Sequence, residues 1–370
     1  MSDFNTAFAG KVALVTGHTG FKGSWLSAWL NQLGAKVVGV SINIPTEPSN
    51  YDVSCIHKIV EDHRIDIRDS VALKSIVKKI EPDFVFHLAA QALVRASYDD
   101  PLNTLSTNAI GTACVLDSLR SMNKPVAAVM ITSDKAYDNV EWVWGYREKD
   151  RLGGKDPYSA SKGMAELAIR TYVKSFFTKE KSKIRVGIGR AGNVIGGGDW
   201  AKDRIVSDCM RSWSQGTSVD IRSPDATRPW QHVMEPLSGY LALASSLSET
   251  DENHGEAYNF GPSANQNHSV RELIEEMAKY WVGIQWNDIS RVQKHLHEAN
   301  LLKLNCDKAH LKLNWKPNLD FKDTVRMTAE WYKNYYDGNK NSSMFEFTVG
   351  QIETFTKVAR SKNLAWACHD

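Results

Sequence analysis

Three glycines at three-residue spacing, Gly17-His18-Thr19-Gly20-Phe21-Lys22-Gly23, lie between two segments of different periodicity, and this run constrains the chain more than any other feature. Before it, Lys11–Thr16 is short and apolar, as a buried strand is. After it, Phe21–Leu33 places Trp25, Leu26, Trp29, Leu30 and Leu33 at helical spacing, and Gly34 suits the left-handed position past a helix end. A strand, a turn on glycines and a helix make an anion site. Glycine lets the backbone come close, and the free N–H groups at the helix start carry partial positive charge. The ligand that uses such a turn is the pyrophosphate of a dinucleotide, so residues 17 to 23 are read as its cradle.

The segments that follow fit the same reading. Lys36–Ile42, Asp83–Leu88, Val126–Ser133 and Ile184–Arg190 are near-continuously apolar strands. Helical stretches at 101–121 and 158–177 separate them. Apolar strands alternating with helices imply a parallel sheet covered on both faces, the doubly wound α/β (Rossmann) class. The Trp25/Trp29 stripe belongs to helix-to-sheet packing. Past residue 190 the pattern changes, with Gly196-Gly197-Gly198, short strands at Ser218–Ile221 and Ala257–Phe260, and helical stretches at 233–247, 269–281 and 321–336. The expected organisation is a dinucleotide domain over 1–190 and a smaller mixed α/β substrate lobe over 191–340. Part of that lobe returns to the sheet. The tail, 341–370, is polar and weakly periodic and receives no role.

Composition excludes several partners. A net charge of +2 on 370 residues, without a polybasic run, gives no support to nucleic-acid or membrane-surface binding. No apolar run reaches the ~18–20 residues needed to span a bilayer. Met1–Asn5 lacks the basic start and apolar core of a secretion signal. The five cysteines are odd in number and widely spaced, which fits a reducing cytoplasm. His295-Leu296-His297 points its imidazoles apart on a helix, and with His310 it lacks a completing set, so no metal is expected.

Two further groups carry chemistry. Tyr158 and Lys162 are four apart at the start of a helix, on one face. An ammonium beside a phenol is expected to lower its pKa from ~10 and make it a base near neutrality. Lys162 also suits a nicotinamide ribose. Ser133-Asp134-Lys135 leaves a strand end, where ligand crevices of parallel sheets open. The second strand ends Val40-Ser41-Ile42-Asn43, with no carboxylate for a ribose 2′-hydroxyl and no arginine for a 2′-phosphate. Ser41 or Asn43 is left to bind the hydroxyl, Asp66-Ile67 to carry the adenine end, and the grip on the dinucleotide is expected to be loose.

Taken together, these residues resemble the extended short-chain dehydrogenase/reductases, the NAD-dependent epimerase/dehydratase family. The likeness covers most of residues 8–335. It includes the glycine turn, Asp66-Ile67-Arg68, His87-Leu88-Ala89-Ala90-Gln91, Thr107-Asn108, Tyr158/Lys162 and Arg190–Val194. Gly17–Leu30, Leu88–Val94, Thr132–Asn139, Asp156–Glu166, Arg190–Asp208 and Arg228–Val233 are most similar to the nucleotide-sugar 4,6-dehydratases that act on CDP-glucose. The resemblance implies NAD held by residues 17 to 23, Asp66, Ile67, Leu88, Ala89, Ala90, Thr107, Tyr158 and Lys162. It implies Gln91 beside the sugar, and Asn193, Trp200, Arg204 and Arg228 on the nucleotide diphosphate. It also implies a hydro-lyase of deoxysugar (O-antigen, lipopolysaccharide) biosynthesis. Tyr158 takes the proton of the 4-hydroxyl, Ser133 bonds the 4-oxygen, and Asp134 protonates the leaving 6-hydroxyl. Related enzymes carry Thr-Asp-Glu where this chain has Ser133-Asp134-Lys135. Lys135 is then either a neutral base at C5 or an ammonium stabilising the enolate. Dehydration of a dTDP- or GDP-sugar and C4 epimerisation are the alternatives, and Asp134 favours dehydration. A non-catalytic NAD-binding regulator is the third, and the retained Tyr/Lys pair argues against it. Members dimerise through helices equivalent to 101–121 and 158–177, which implies a homodimer or homotetramer.

Overall fold

The computed structural model describes residues 3–264, 266–281, 283–290, 301–338 and 343–368. His295 and His297 therefore lie outside the described residues. Six strands, β1 (Val12–Thr16), β2 (Lys36–Ser41), β3 (Val60–Arg64), β4 (Phe84–His87), β5 (Val126–Ile131) and β6 (Ile184–Arg190), join with Ala257–Asn259 in one sheet. The spatial order is β3-β2-β1-β4-β5-β6 and then Ala257–Asn259, every pair parallel. Leu14 faces Val38 on one side and Val85 on the other, so β1 is the centre from which the strand order runs both ways. A crevice opens at the strand ends where that order reverses.

The apolar runs are continuous because both faces are covered. Leu14, Val85 and Ala128 turn to one core with Val115, Leu116 and Ile169 of the helices Gly111–Leu119 and Pro157–Ser175. Their neighbours Val15, Phe86 and Val129 turn to the other, with Trp25 and Trp29 of Phe21–Gln32 and Leu237 and Leu241 of Met234–Glu249. Each buried side chain of this size contributes roughly 1.5–3 kcal/mol.

Three expectations change. β3 was not anticipated, because Val60-Glu61-Asp62-His63-Arg64 is mostly polar; among the described residues it pairs only with β2, and an edge strand can face water. Ala257–Asn259 extends the main sheet beside β6, as a return of the second lobe to the sheet requires. The stretch 101–121 is three pieces, Pro101–Leu105, a π turn Ser106–Ile110 and Gly111–Leu119. The tail does have structure. Met344–Ser361 is a helix with a capping box made by Ser343 and Glu346, and its Phe355 meets Trp29 edge-on at 5.7 Å. Trp366 stacks on Phe4 of a short N-terminal helix at 5.0 Å.

Candidate active site

Gly17 has φ of +77°, and a Cβ there would lie 2.7 Å from the Ala89 nitrogen. The ends of β1 and β4 thus converge on a bare backbone. Gly20 precedes the Phe21–Gln32 helix with no side-chain cap, so no side chain takes up its first N–H groups. A Cβ on Gly23 would collide with the Gly17 carbonyl. These features fit a pyrophosphate cradle. Ala89 donates to Thr16 Oγ1 at 3.3 Å, which ties Leu88-Ala89-Ala90 to the same rim.

His18 packs against the second strand near its end. Its ring is fully buried, 3.0 Å from Ser41 Oγ, and fills the space that any side chain at Gly39 would need. Burial lowers its pKa. Thr19 donates to the Asn43 carbonyl at 2.7 Å. The Ser41 hydroxyl is therefore already engaged inside the protein, while Asn43 is exposed and only its backbone carbonyl is taken. A carboxylate does reach the region, from the unanticipated β3. Asp62 lies 3.0 Å from His18 Nε2, accepts from Tyr51 Oη at 2.6 Å and pairs with Arg64 at 2.7 Å. Asp66 is chelated by Arg68 at 2.6 Å, and Ile67 is buried where Gly111 leaves it room.

Gln91 spends its amide within the fold, donating to Thr104 Oγ1 at 2.8 Å and to the Leu93 carbonyl at 3.0 Å. Thr107 makes only a 3.4 Å contact to Asn103. Its neighbour Asn108, named in the sequence only as part of the Thr107-Asn108 motif, is buried and donates to the Gln91 carbonyl at 2.9 Å and to Ser161 Oγ at 2.8 Å. It sits in the π turn, and such irregular turns mark functional positions, although nothing in the local sequence announces one.

Tyr158 and Lys162 open the Pro157–Ser175 helix, which Asp156 caps by accepting from Ser159 N at 2.9 Å. Both are buried, and Lys162 Nζ is 5.9 Å from the Tyr158 ring centre. The expected fall in the tyrosine pKa does not occur. Burial pushes Tyr158 up to about 12, opposed by a Ser133 hydrogen bond and by Arg204. Burial also brings Lys162 down to about 8, opposed by Glu166. Desolvation penalises both charged forms and is the largest cause of each shift. Nearby His87, held between Thr16 Oγ1 at 2.7 Å and Thr112 Oγ1 at 2.9 Å, is pushed down to about 3.

Ser133 leaves β5 and donates to Asp134 Oδ1 at 2.9 Å. Asp134 is buried against Gly192, where a Cβ would collide with its carboxylate. Lys135 anchors its own N–H on Ser133 Oγ at 3.2 Å. Lys22 shares this field. Burial, Arg204 and Lys162 bring it down to about 8, while Asp134 and Asp199 oppose the fall. Sequence alone gave Lys22 only a cradle role, but its ammonium also feels the groups around Asp134.

Beyond Asp134 lies a cavity of about 240 Å³, lined among others by Trp144, Gly192, Pro229, Gln231, Gln266 and Leu304. Trp144 was not anticipated; an exposed tryptophan in a loop was its only signal. Asn193 has φ of +52°, and its carbonyl accepts from Gln231 N at 3.2 Å. Arg204 pairs with Asp199 at 2.6 Å. Arg228 pairs across a short ladder with His268. Trp200 departs from expectation. It is buried against Trp331, Tyr332 and Tyr335 and donates its indole N–H to Tyr336 at 3.1 Å, so it packs as a core residue. The site thus gathers a buried phenol, the Lys22 and Lys162 amines and the Asp134 carboxyl group at the strand ends beside the glycine turn.

A family model described as GDP-mannose 4,6 dehydratase matches residues 14–328. The chain is 45% identical over 332 residues to the CDP-glucose 4,6-dehydratase of Salmonella typhimurium, covering 89% of this chain and 92% of that protein. The dTDP-glucose 4,6-dehydratase of Streptomyces venezuelae, solved with NAD bound, has a TM-score of 0.73 at 21% identity, covering 89% and 99% of the two chains. The UDP-glucose 4-epimerase of Thermotoga maritima has a TM-score of 0.74 at 21% identity, covering 88% and 99%. At these identities the two structures speak for the fold.

Proposed function

The chain belongs to the GDP-mannose 4,6 dehydratase family, and from that premise we propose that it converts CDP-D-glucose to CDP-4-keto-6-deoxy-D-glucose. It is an NAD-dependent hydro-lyase of sugar nucleotides. The observation that carries this reading is Asp134, a buried acid beside Ser133 at the end of β5, close enough to Tyr158 to act on its charge. An epimerase needs no acid there.

Residues 17 to 23 hold the pyrophosphate of NAD, with Asp66, Ile67, Leu88, Ala89, Ala90 and Thr107 along its path. Bound there, NAD supplies the acceptor for the C4 hydride and its return to C6. Tyr158 receives the 4-hydroxyl proton, and Ser133 and Arg204 reduce the cost of its charge. Lys162 orients the nicotinamide ribose. The ketone acidifies C5–H. Lys135 takes that proton and gives it back to C5 as the hydride reaches C6, or as an ammonium it stabilises the enolate while another group moves the proton. Asp134 gives a proton to the 6-hydroxyl, which leaves as water. Asn193, Arg204 and Arg228 hold the diphosphate, arginine forks suiting phosphate oxygens. Gln91 supports the sugar side. Asp62 lies near the expected adenosine end but is committed to His18, Tyr51 and Arg64, so NAD is held loosely.

The test incubates the protein and NAD with CDP-, dTDP- and UDP-glucose and GDP-mannose, and reads 4-keto sugar by its alkali-induced absorbance. Highest kcat/KM on CDP-glucose supports the proposal. Preference for another base refutes the cytidine assignment, and no keto sugar from any donor refutes dehydration. Exposed Tyr98, Leu102, Ile110, Met164 and Leu167 lie on the helices Val94–Asp99, Pro101–Leu105 and Pro157–Ser175 and on the intervening π turn. They support a homodimer, or a homotetramer built from it. Among the described residues no helix is long and apolar enough to cross a membrane. Widely spaced free cysteines support a cytoplasmic location.

A further inference from the structure

One buried guanidinium holds both ends of the Ser133-Asp134-Lys135 turn. Arg190 ends β6, and neither it nor its partner Glu166 has any exposed side-chain surface. Arg190 Nε donates to Glu166 Oε1 at 2.6 Å, and Nη2 donates to Oε2. The same Oε1 accepts from Thr132 Oγ1 at 2.9 Å, and Thr132 immediately precedes Ser133. On the far side Arg190 Nη1 donates to Tyr137 Oη at 2.6 Å, and Tyr137 immediately follows the Asp134–Ala136 turn. The Tyr137 hydroxyl donates in turn to Asn259 Oδ1 at 2.7 Å. Arg190 Nη1 also reaches the Glu148 carbonyl at 3.1 Å. Glu166 stands one turn beyond Lys162 on the helix that carries Tyr158.

The ion pair therefore joins three elements: the Tyr158/Lys162 helix, the turn that carries the acid, and β6. A buried pair of this kind is often no more stable than an apolar pair of the same volume, but its hydrogen bonds fix direction. Direction is what the turn needs. Oxidation at C4 uses Tyr158 and Lys162 with the Ser133 hydroxyl, whereas water loss also needs Asp134 and Lys135 placed on C5 and C6 of the same sugar. A displacement near 1 Å costs a reacting pair about a hundred-fold.

We propose that Arg190, through Glu166 and Thr132 on one side and Tyr137 on the other, sets the register of the Ser133-Asp134-Lys135 turn against the Tyr158/Lys162 helix. Thr132, Tyr137, Glu166 and Arg190 are then positioning residues for the elimination step. The proposal rests on the dehydratase reading above. None of the four exchanges a proton with the sugar; each holds the geometry in which Asp134 gives one up.

The test compares the unaltered protein with Tyr137→Phe, Thr132→Val and Thr132→Ser, each with NAD and CDP-glucose in a quenched single turnover. Mass spectrometry separates the 4-keto-glucose nucleotide, which still holds its water, from the 4-keto-6-deoxyglucose nucleotide. Tyr137→Phe and Thr132→Val are expected to slow water loss about ten- to a hundred-fold more than C4 oxidation, so undehydrated ketone accumulates. Thr132→Ser keeps the hydroxyl and the unaltered product ratio. If Tyr137→Phe does not fold, Thr132→Val decides, because it removes one hydroxyl and keeps the shape. Full turnover by Thr132→Val, or loss of both ketones in equal proportion, overturns the proposal. An unaltered protein that makes no keto sugar overturns the dehydratase reading itself.

Discussion

Tyr158 and Lys162 sit where their spacing places them, yet burial sets their charges, raising one to about 12 and lowering the other to about 8. In the proposed reaction the Tyr158 phenolate is the proton acceptor, so Tyr158→Phe is expected to lower keto-sugar formation 10²- to 10⁴-fold at unchanged melting temperature. Lys135 has two candidate roles that a charge-preserving substitution separates. Lys135→Arg retains activity if the ammonium stabilises the enolate, and abolishes exchange of the C5 proton with solvent deuterium if the amine is the base. Asp134 depends on a missing side chain opposite it. Gly192→Ala puts a methyl group into the carboxylate's place, so the variant is expected to accumulate undehydrated ketone while its fold, checked by circular dichroism, persists.

At the scale of elements, the two ends of the chain support the cradle. The Met344–Ser361 helix packs on Phe21–Gln32 through Phe355 and Trp29, and the N-terminus of Phe21–Gln32 adjoins the glycine turn. Ser343→Ala removes the capping box and is expected to cost about 1 kcal/mol in urea unfolding. Deleting residues from 343 onward uncovers Trp29 and is expected to weaken NAD binding, measured by titration, as well as stability. The capping signature Ser343-x-x-Glu346 was legible in the sequence, although the polar stretch around it masked the amphipathic face.

Across the whole molecule, Glu235 links the second lobe to the C-terminal region. Its buried carboxylate accepts the N–H of Asn318 at 2.9 Å and of Leu319, and Lys362 donates to the Asn318 carbonyl. Burial raises its pKa to about 7, against an ordinary value near 4 in the unfolded chain. The folded protein thus binds more protons than the unfolded one between those values, and this group's contribution to stability falls as pH rises from about 4 to 7. Glu235→Gln keeps an acceptor and removes the titration. Its melting temperature relative to the unaltered protein is expected to be higher at pH 8 than at pH 5, and an equal difference at both would refute the assignment. Assembly is tested at the same scale. Leu167 is 57% exposed on the Tyr158 helix, and Leu167→Asp is expected to shift the protein to monomer by light scattering.

The sequence alone showed the glycine-rich turn, the central strands and the Tyr158/Lys162 and Ser133-Asp134-Lys135 patterns. Each of these is a local pattern: glycines at fixed spacing, an apolar period, a helical turn, a strand end. It did not determine what those groups meet. β3 escaped notice because an edge strand has no need to be apolar, and with it went Asp62. Trp200 stands in a motif but packs in the core, since its neighbours Trp331, Tyr332 and Tyr335 come from far along the chain. Only the tertiary structure placed Arg190 between Thr132 and Tyr137, shut the water out around Lys162, and let a lysine of the glycine turn feel the acid at the end of β5. Burial and electrostatic environment come from residues distant in sequence, so a local pattern carries neither.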